Sequence, residues 1–142
     1  MRWRDTPDGR FSDTALGPFW FRDDANGEVR CRVETGRQHT NGADFIHGGM
    51  MMTFADMAYF AIAWRRLADV MAVTLTATFE FMGAAKAGEP IDAVGSVIKE
   101  TGKLIFVHIR IEQRGNIIAT SSATLRKLSR AVIRESGMRT EG

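Results

Sequence analysis

The chain has 142 residues, with 19 basic and 17 acidic side chains for a net charge of +2. Hydrophobic residues make up 44% and charged residues 25%, the balance of an ordinary globular domain, which excludes a disordered chain, a collagen and a disulfide scaffold. Two excess charges make too weak a field to attract nucleic acid, so no such partner is expected. One cysteine, Cys31, allows no internal disulfide, and the N-terminus carries no apolar signal region. The apolar run over 58–64 is far short of the about 20 residues that a bilayer span needs. No membrane span and a cytoplasmic location are therefore expected.

In chain order, residues 1–16 are polar, with Pro7 and Gly9, and read as an N-terminal arm. Phe19-Trp20-Phe21 starts a strand and Asn26-Gly27 is a hairpin signal. Over 28–34, Val29, Cys31 and Val33 alternate with Arg30, Arg32 and Glu34, which places Cys31 on a buried face. Residues 35–47 form a loop. From Gly48 or Gly49 to about Leu67 the segment is apolar on all sides, the mark of a buried helix. Period 2 then takes over, and strands are predicted over 70–82, 91–100, 104–113 and 117–128. In the first of these Val73, Leu75, Ala77, Phe79 and Phe81 share one face and the threonines the other. Thr101-Gly102-Lys103 and Arg114-Gly115-Asn116 are tight turns. The layout is α+β: a hairpin, one apolar helix, and an antiparallel meander whose concave face covers the helix. One domain over 17–128 is expected, with a tail over 129–142.

The chemistry-bearing stretch is 39–49, followed by Asp56. Two glycines, Gly48 and Gly49, open the helix directly after His47. Free N–H groups at a helix start form a preorganised site for a polarised carbonyl or an anion. On the glycines alone, a plain loop-to-helix turn accounts for the pair as well. Asp56 is the only charged residue from Gly48 to Trp64. A carboxylate on such a helix is either functional or paired, and its burial would raise its pKa toward a general base's range. Nine positions separate His47 from Asp56, which puts Asp56 on the opposite side of the helix and ~13 Å further along. A single chain cannot easily bring both ends to one reacting atom. A two-fold dimer with antiparallel helices would.

The pattern His39-x-Asn41, His47-Gly48-Gly49 and Asp56 resembles that of the hotdog-fold acyl-CoA thioesterases, in their phenylacetate-pathway (PaaI-like) and THEM2-like branch. The resemblance covers about 28–128 and runs through 73–81, the 83–88 turn and both later hairpins. It implies an antiparallel sheet wrapped around one long central helix, with active sites at the interface of a homodimer or a dimer of dimers. It implies an acyl-CoA substrate, hydrolysed to the free acid and CoA. By the same resemblance Gly48 donates its N–H to the thioester carbonyl, and Asp56 of the partner chain acts as general base or nucleophile. Asn41 positions the water or thioester, His47 orients the loop and the carbonyl, and Thr74 holds water near the carboxylate. Gly49, Met50, Phe45, Gly83, Ala84, Lys86 and Lys103 complete an expected substrate-binding set. Gly83-Ala84 departs from the Ser-Pro or Arg-Pro of many relatives, which bears on the CoA contacts.

Of the eight methionines, Met50-Met51-Met52 spread over ~200° of helix, so most are core and one or two are left for an adaptable pocket wall. Three histidines and a lone cysteine are too scattered for zinc. No metal or other cofactor is expected, since coenzyme A enters as part of the substrate. Two other functions fit the same residues: hydration or dehydration of an acyl thioester, and non-catalytic acyl-CoA binding.

Overall fold

The computed structural model describes residues 4–5 and 10–128. The expected tail over 129–142 lies outside the described residues. Seven strands form one antiparallel sheet: β1 (Arg4–Asp5), β2 (Phe19–Asp23), β3 (Val29–Val33), β4 (Met71–Phe81), β5 (Ile91–Glu100), β6 (Leu104–Gln113) and β7 (Asn116–Leu128). Their order is β1-β2-β3-β5-β6-β7-β4. Two α-helices join them, α1 (Phe11–Leu16) and α2 (Gly48–Ile62), and α2 lies against β3, β5 and β6.

Alternation builds the concave face. Val29, Cys31 and Val33 on β3, and Ile105, Val107, Ile109 and Ile111 on β6, are buried. They meet Phe54, Ala55, Ala58 and Tyr59 of α2, all four fully enclosed. Gly95 on β5 is set by close approach. A Cβ there would lie 2.0 Å from the His108 carbonyl oxygen and 2.9 Å from Ile109 Cα, so only glycine fits between β5 and β6. On the other face Arg30 and Arg32 converge on the buried Asp92 at 2.8 and 2.7 Å, which neutralises a carboxylate that would otherwise be costly to bury.

Three expectations need correction. The helix ends at Ile62 rather than near Leu67, and a 3-10 turn, Trp64–Leu67, follows. There the Arg66 N–H turns back to the Ala63 carbonyl at 2.8 Å, a tightening that satisfies helix-end carbonyls. The stretch expected as an arm contains α1, whose Leu16 is buried and whose Ala15 carbonyl meets His39 Nε2 at 3.0 Å. The strict alternation along β4 breaks at Leu75, which has no partner on β7: Thr74 pairs with Leu125 and Thr76 with Thr124. One extra residue in a strand reverses which side the preceding side chains face. Thr74 therefore shares the concave face with Ala77, Phe79 and Phe81.

Cys31 is fully buried, and burial, with the Asp92 charge adding, pushes its thiol well above the ordinary range. The native protein should resist a thiol-alkylating reagent that labels it within minutes in guanidinium. Rapid native labelling, followed by mass spectrometry, would contradict this packing.

Candidate functional site

The loop before α2 is held from both ends. Thr40 bridges Ile46, the His47 N–H reaches the His39 carbonyl at 2.8 Å, and the Ile46 N–H reaches the Ala85 carbonyl at 2.8 Å. Asn41 shapes its interior: Oδ1 accepts from the Ala43 and Phe45 N–H groups at 2.9 and 3.2 Å. The loop thus consumes the oxygen of the carboxamide and leaves its two Nδ2 donors. Phe45 is exposed and bridges Lys86, while Gly83 and Ala84 are exposed in the neighbouring loop.

His47 caps α2. Its Nδ1 accepts from the Gly49 N–H at 2.8 Å, so in the neutral ring the proton sits on Nε2. The Met51 N–H closes the first turn on the His47 carbonyl at 3.1 Å. This corrects the expectation that Gly48 and Gly49 both offer amides, because the cap occupies that of Gly49. Among the described residues the N–H groups of Gly48 and Met50 have no acceptor, and they stand at the positive end of a 15-residue helix. A Cβ on Gly48 would meet only the Phe81 ring, at 3.6 Å, whereas one on Gly49 would press on His47 Nδ1 at 3.1 Å and Cε1 at 3.3 Å. Gly49→Ala should therefore disturb the cap and cost about 1 kcal/mol, while Gly48→Ala should not. Thermal unfolding checks this: equal melting temperatures for the two variants would contradict it.

Asp56 lies two turns further along. Its Oδ1 accepts the Thr74 hydroxyl at 2.7 Å, a bond that exists because the Leu75 bulge turns Thr74 toward the helix. Thr74 thus bonds the carboxylate directly. Oδ2 has no partner among the described residues. Asp56 is exposed in the single chain, which corrects the expectation of a buried carboxylate. Behind it Tyr59 hydrogen-bonds Ser121 in the core. Burial raises the Tyr59 hydroxyl's pKa against the lowering effect of that bond, and the Asp56 charge adds to the rise, keeping the phenol neutral.

The exposure follows a stripe. Gly49, Met52 and Asp56 are exposed, and Thr53 and Phe60 are half-buried, the spacing of one helix face. Gly48 and Asp56 are eight residues apart on this continuous helix, or ~12 Å along its axis. The structure brings Asn41, Phe45, His47, Gly48, Met50, Gly83, Ala84 and Lys86 toward the helix start and pairs Asp56 with Thr74 further down. It does not unite the two groups within one chain. Nor does it unite the lysines: the Lys86 backbone is bonded to Gln113 at the end of β6, and Lys103 precedes the start of β6, about 30 Å away.

Sequence reasoning missed three features here. Phe81 sits against Gly48, though its alternating pattern marked it only as a strand residue. Gln113, buried, clamps the Lys86 backbone with both ends of its amide, at 2.9 and 2.8 Å. A groove of about 810 Å³ opens beside Asp56 between α1, β2 and α2. The aromatic run at 19–21 signalled it only as a strand. Among the described residues no cluster of three or more His, Cys, Asp or Glu side chains could hold a metal ion, and no helix is long and apolar enough to cross a membrane.

Comparison with known proteins gives a family, two relatives and two structural neighbours. A family model described as the Thioesterase superfamily matches residues 43–119, which spans both the helix start and Asp56. Human acyl-coenzyme A thioesterase 13 is 28% identical over 116 residues, covering 79% of this chain and 81% of that one. A Pseudomonas aeruginosa protein named only as a candidate esterase is 29% identical over 124 residues, covering 87% of this chain and 82% of that one. Among solved structures, zebrafish thioesterase superfamily member 2 superposes with a TM-score of 0.72 at 29% identity, covering 86% of this chain and 89% of that one. A hypothetical thioesterase protein from Streptococcus pneumoniae, solved with coenzyme A, gives 0.72 at 15% identity, over 82% of this chain and 90% of that one. That last likeness speaks for the fold alone.

Proposed function

The chain belongs to the Thioesterase superfamily, has its hotdog fold and is a thioester hydrolase; from that premise we propose that it cleaves acyl-coenzyme A to the free acid and coenzyme A at a site shared by two copies. The observation that carries this is the division of α2. Among the described residues, the Gly48 N–H at its start has no acceptor and one Asp56 carboxylate oxygen ~12 Å along it has no partner, and both flank one exposed stripe. That stripe leaves Met52 exposed and Phe60 half-buried beside the carboxylate, and apolar side chains in water call for a cover. A two-fold copy of the same helix, run antiparallel, supplies the cover and sets Gly48 of the partner subunit beside Asp56. β4 favours such pairing, since it is the sheet edge and exposes Met71, Leu75 and Phe81.

In this reading the thioester carbonyl oxygen accepts from the Gly48 N–H, which stabilises the charge that develops there. One such donor is worth about 10²–10³ in rate. Asp56 Oδ2 takes a proton from water, the hydroxide attacks the carbonyl carbon, and the tetrahedral adduct collapses to the acid with loss of the coenzyme A thiolate. Thr74 fixes the carboxylate. In the same reading the Nδ2 donors of Asn41 and the Nε2–H of His47 position the thioester. No metal or cofactor takes part. Coenzyme A as the leaving group draws support from human acyl-coenzyme A thioesterase 13, named for that substrate.

A panel of acyl- and aryl-acyl-CoA thioesters, read by release of free thiol, tests the activity. Turnover of at least one member is expected. Silence across the panel together with hydration of crotonyl-CoA would replace the hydrolase by a hydratase. Tight binding without turnover would replace it by a binding protein.

A further inference from the structure

We propose that Gln113, at the end of β6, is a positioning residue for the hydrolysis: it clamps the 83–89 loop, and through that loop it sets where the Gly48 N–H stands. The proposal rests on the acyl-CoA reading and adds to it a residue outside the two groups that meet the thioester.

The 83–89 loop has little rigidity of its own. Residues 83–88 read Gly-Ala-Ala-Lys-Ala-Gly. Glycine and alanine leave the backbone free and offer almost no side chain to pack. Two buried side chains, Thr35 and Gln113, hold the segment instead. Thr35 Oγ1 accepts the Gly88 N–H at 3.1 Å, where Gly88 takes a φ of +98°. Gln113 spends its whole carboxamide on loop backbone. Oε1 accepts the Lys86 N–H at 2.9 Å, and Nε2 donates to the Lys86 and Glu89 carbonyls at 2.8 and 3.3 Å. An amide side chain that pairs with both the N–H and the carbonyl of one residue does the work of a neighbouring strand.

The clamped loop in turn carries the loop that precedes α2. Thr40 and Asn41 bond within 37–46, to Arg37, Ala43, Phe45 and Ile46. Those bonds give the loop its shape. The Ile46 N–H then crosses to the carbonyl of the fully buried Ala85 at 2.8 Å, and Phe45 bridges Lys86. Ile46 stands two residues before Gly48, so the contacts run from Gln113 through Lys86, Ala85 and Ile46 to the start of α2. A single amide donor stabilises the developing charge only from within hydrogen-bond reach of it. Misplacement by about 1 Å can cost about 10² in rate. Lys86 and Gly88 are exposed, so water can replace the bonds of a cut clamp. The loop then shifts while the fold survives.

Two variants test this. Gln113→Leu keeps the volume and removes the amide. Its kcat on the best acyl-CoA should fall about tenfold to a hundredfold, with KM within about threefold, because the lost contact is one made in the transition state. The Lys86 and Ile46 amides should exchange with deuterium about tenfold faster or more, while that of Ile109, enclosed in the middle of β6, keeps its rate. Gln113→Glu separates positioning from folding. As a carboxylate it accepts the Lys86 N–H but repels the Lys86 and Glu89 carbonyls, and once protonated it donates to one of them again. Lys86 and the Glu89–Arg114 ion pair beside it are the same in both proteins. The kcat of Gln113→Glu relative to wild type should therefore climb as the pH is lowered. A merely structural role would lower the melting temperature and leave kcat per folded molecule and that ratio unchanged. Faster exchange at Ile46 with undiminished kcat, or a ratio flat in pH, overturns the role in the rate and leaves the thioesterase reading intact. Unchanged exchange at Ile46 in Gln113→Leu overturns the coupling itself, whether or not any thioester is cleaved.

Discussion

Asp56→Asn and Asp56→Ala are each expected to lower kcat on the best acyl-CoA by about 10²–10⁴, the range a positioned general base contributes. The two replacements differ in what they keep. Asparagine preserves the shape and an oxygen that accepts from Thr74, the bond now made at 2.7 Å, but it cannot take a proton from water. If positioning alone mattered, Asp56→Asn would be nearly active and Asp56→Ala would not. If proton transfer matters, both fail. Stability separates a functional loss from an unfolded one. Asp56 is exposed in the single chain, so neither change should move folding stability by more than about 0.5 kcal/mol. Thr74→Val is the graded companion. It keeps the charge and removes only the hydrogen bond that orients the carboxylate, so a smaller loss in kcat, nearer tenfold to a hundredfold, is expected. Undiminished turnover in both Asp56 variants, measured by thiol release, would remove the residue from the mechanism.

That Thr74 can be named at all depends on a feature that no periodicity shows. Strict alternation sets Thr74 opposite to Val73, Ala77 and Phe79. The bulge at Leu75 puts it on the same side as Ala77, Phe79 and Phe81, facing the helix. A bulge is decided by how β4 pairs with β7, a contact more than forty residues away in sequence, so local pattern cannot report it. Where pattern and pairing agree, the reading from sequence is close. Strands over 91–100 and 104–113 coincide with β5 and β6, because the second alternates cleanly and a tight turn separates the two. The helix start at Gly48 is also as read, since a histidine followed by two glycines leaves few other ways to begin.

The site was less legible for a related reason. Residue types and spacing located Gly48 and Asp56, but not which amide was spent. The His47 ring takes the Gly49 N–H, an assignment that depends on a side-chain rotamer. Lys86 and Lys103 looked equivalent as turn lysines, yet a ten-residue strand stands between them. The apolar helix was read as wholly buried. The concave face covers Phe54, Ala55, Ala58 and Tyr59, and the stripe through Gly49, Met52 and Asp56 is left outside. An all-round apolar helix in one chain therefore has one covering by its own sheet and, in the shared-site proposal, a second by another copy.

That second covering yields the most demanding prediction. If Gly48 and Asn41 of one chain serve Asp56 of the other, Asp56→Ala and Asn41→Ala chains are each defective alone but repair one another when mixed. In a dimer with one chain of each kind, one site draws its carboxylate from the Asn41→Ala chain and its loop from the Asp56→Ala chain, and is intact. The other site carries both lesions. Random exchange at equal amounts makes half the dimers mixed, and half of their sites are whole, so activity should rise to about a quarter of the wild-type value. A site built within one chain predicts no rise, since each chain keeps its own lesion whatever its partner. The contrast holds even though neither variant alone distinguishes the two arrangements. Tagged subunits that exchange fully, as shown by co-purification, with activity still at the level of the separate variants, would place the whole site in one chain. Some other route across ~12 Å of helix would then be needed to bring Gly48 and Asp56 to one carbonyl.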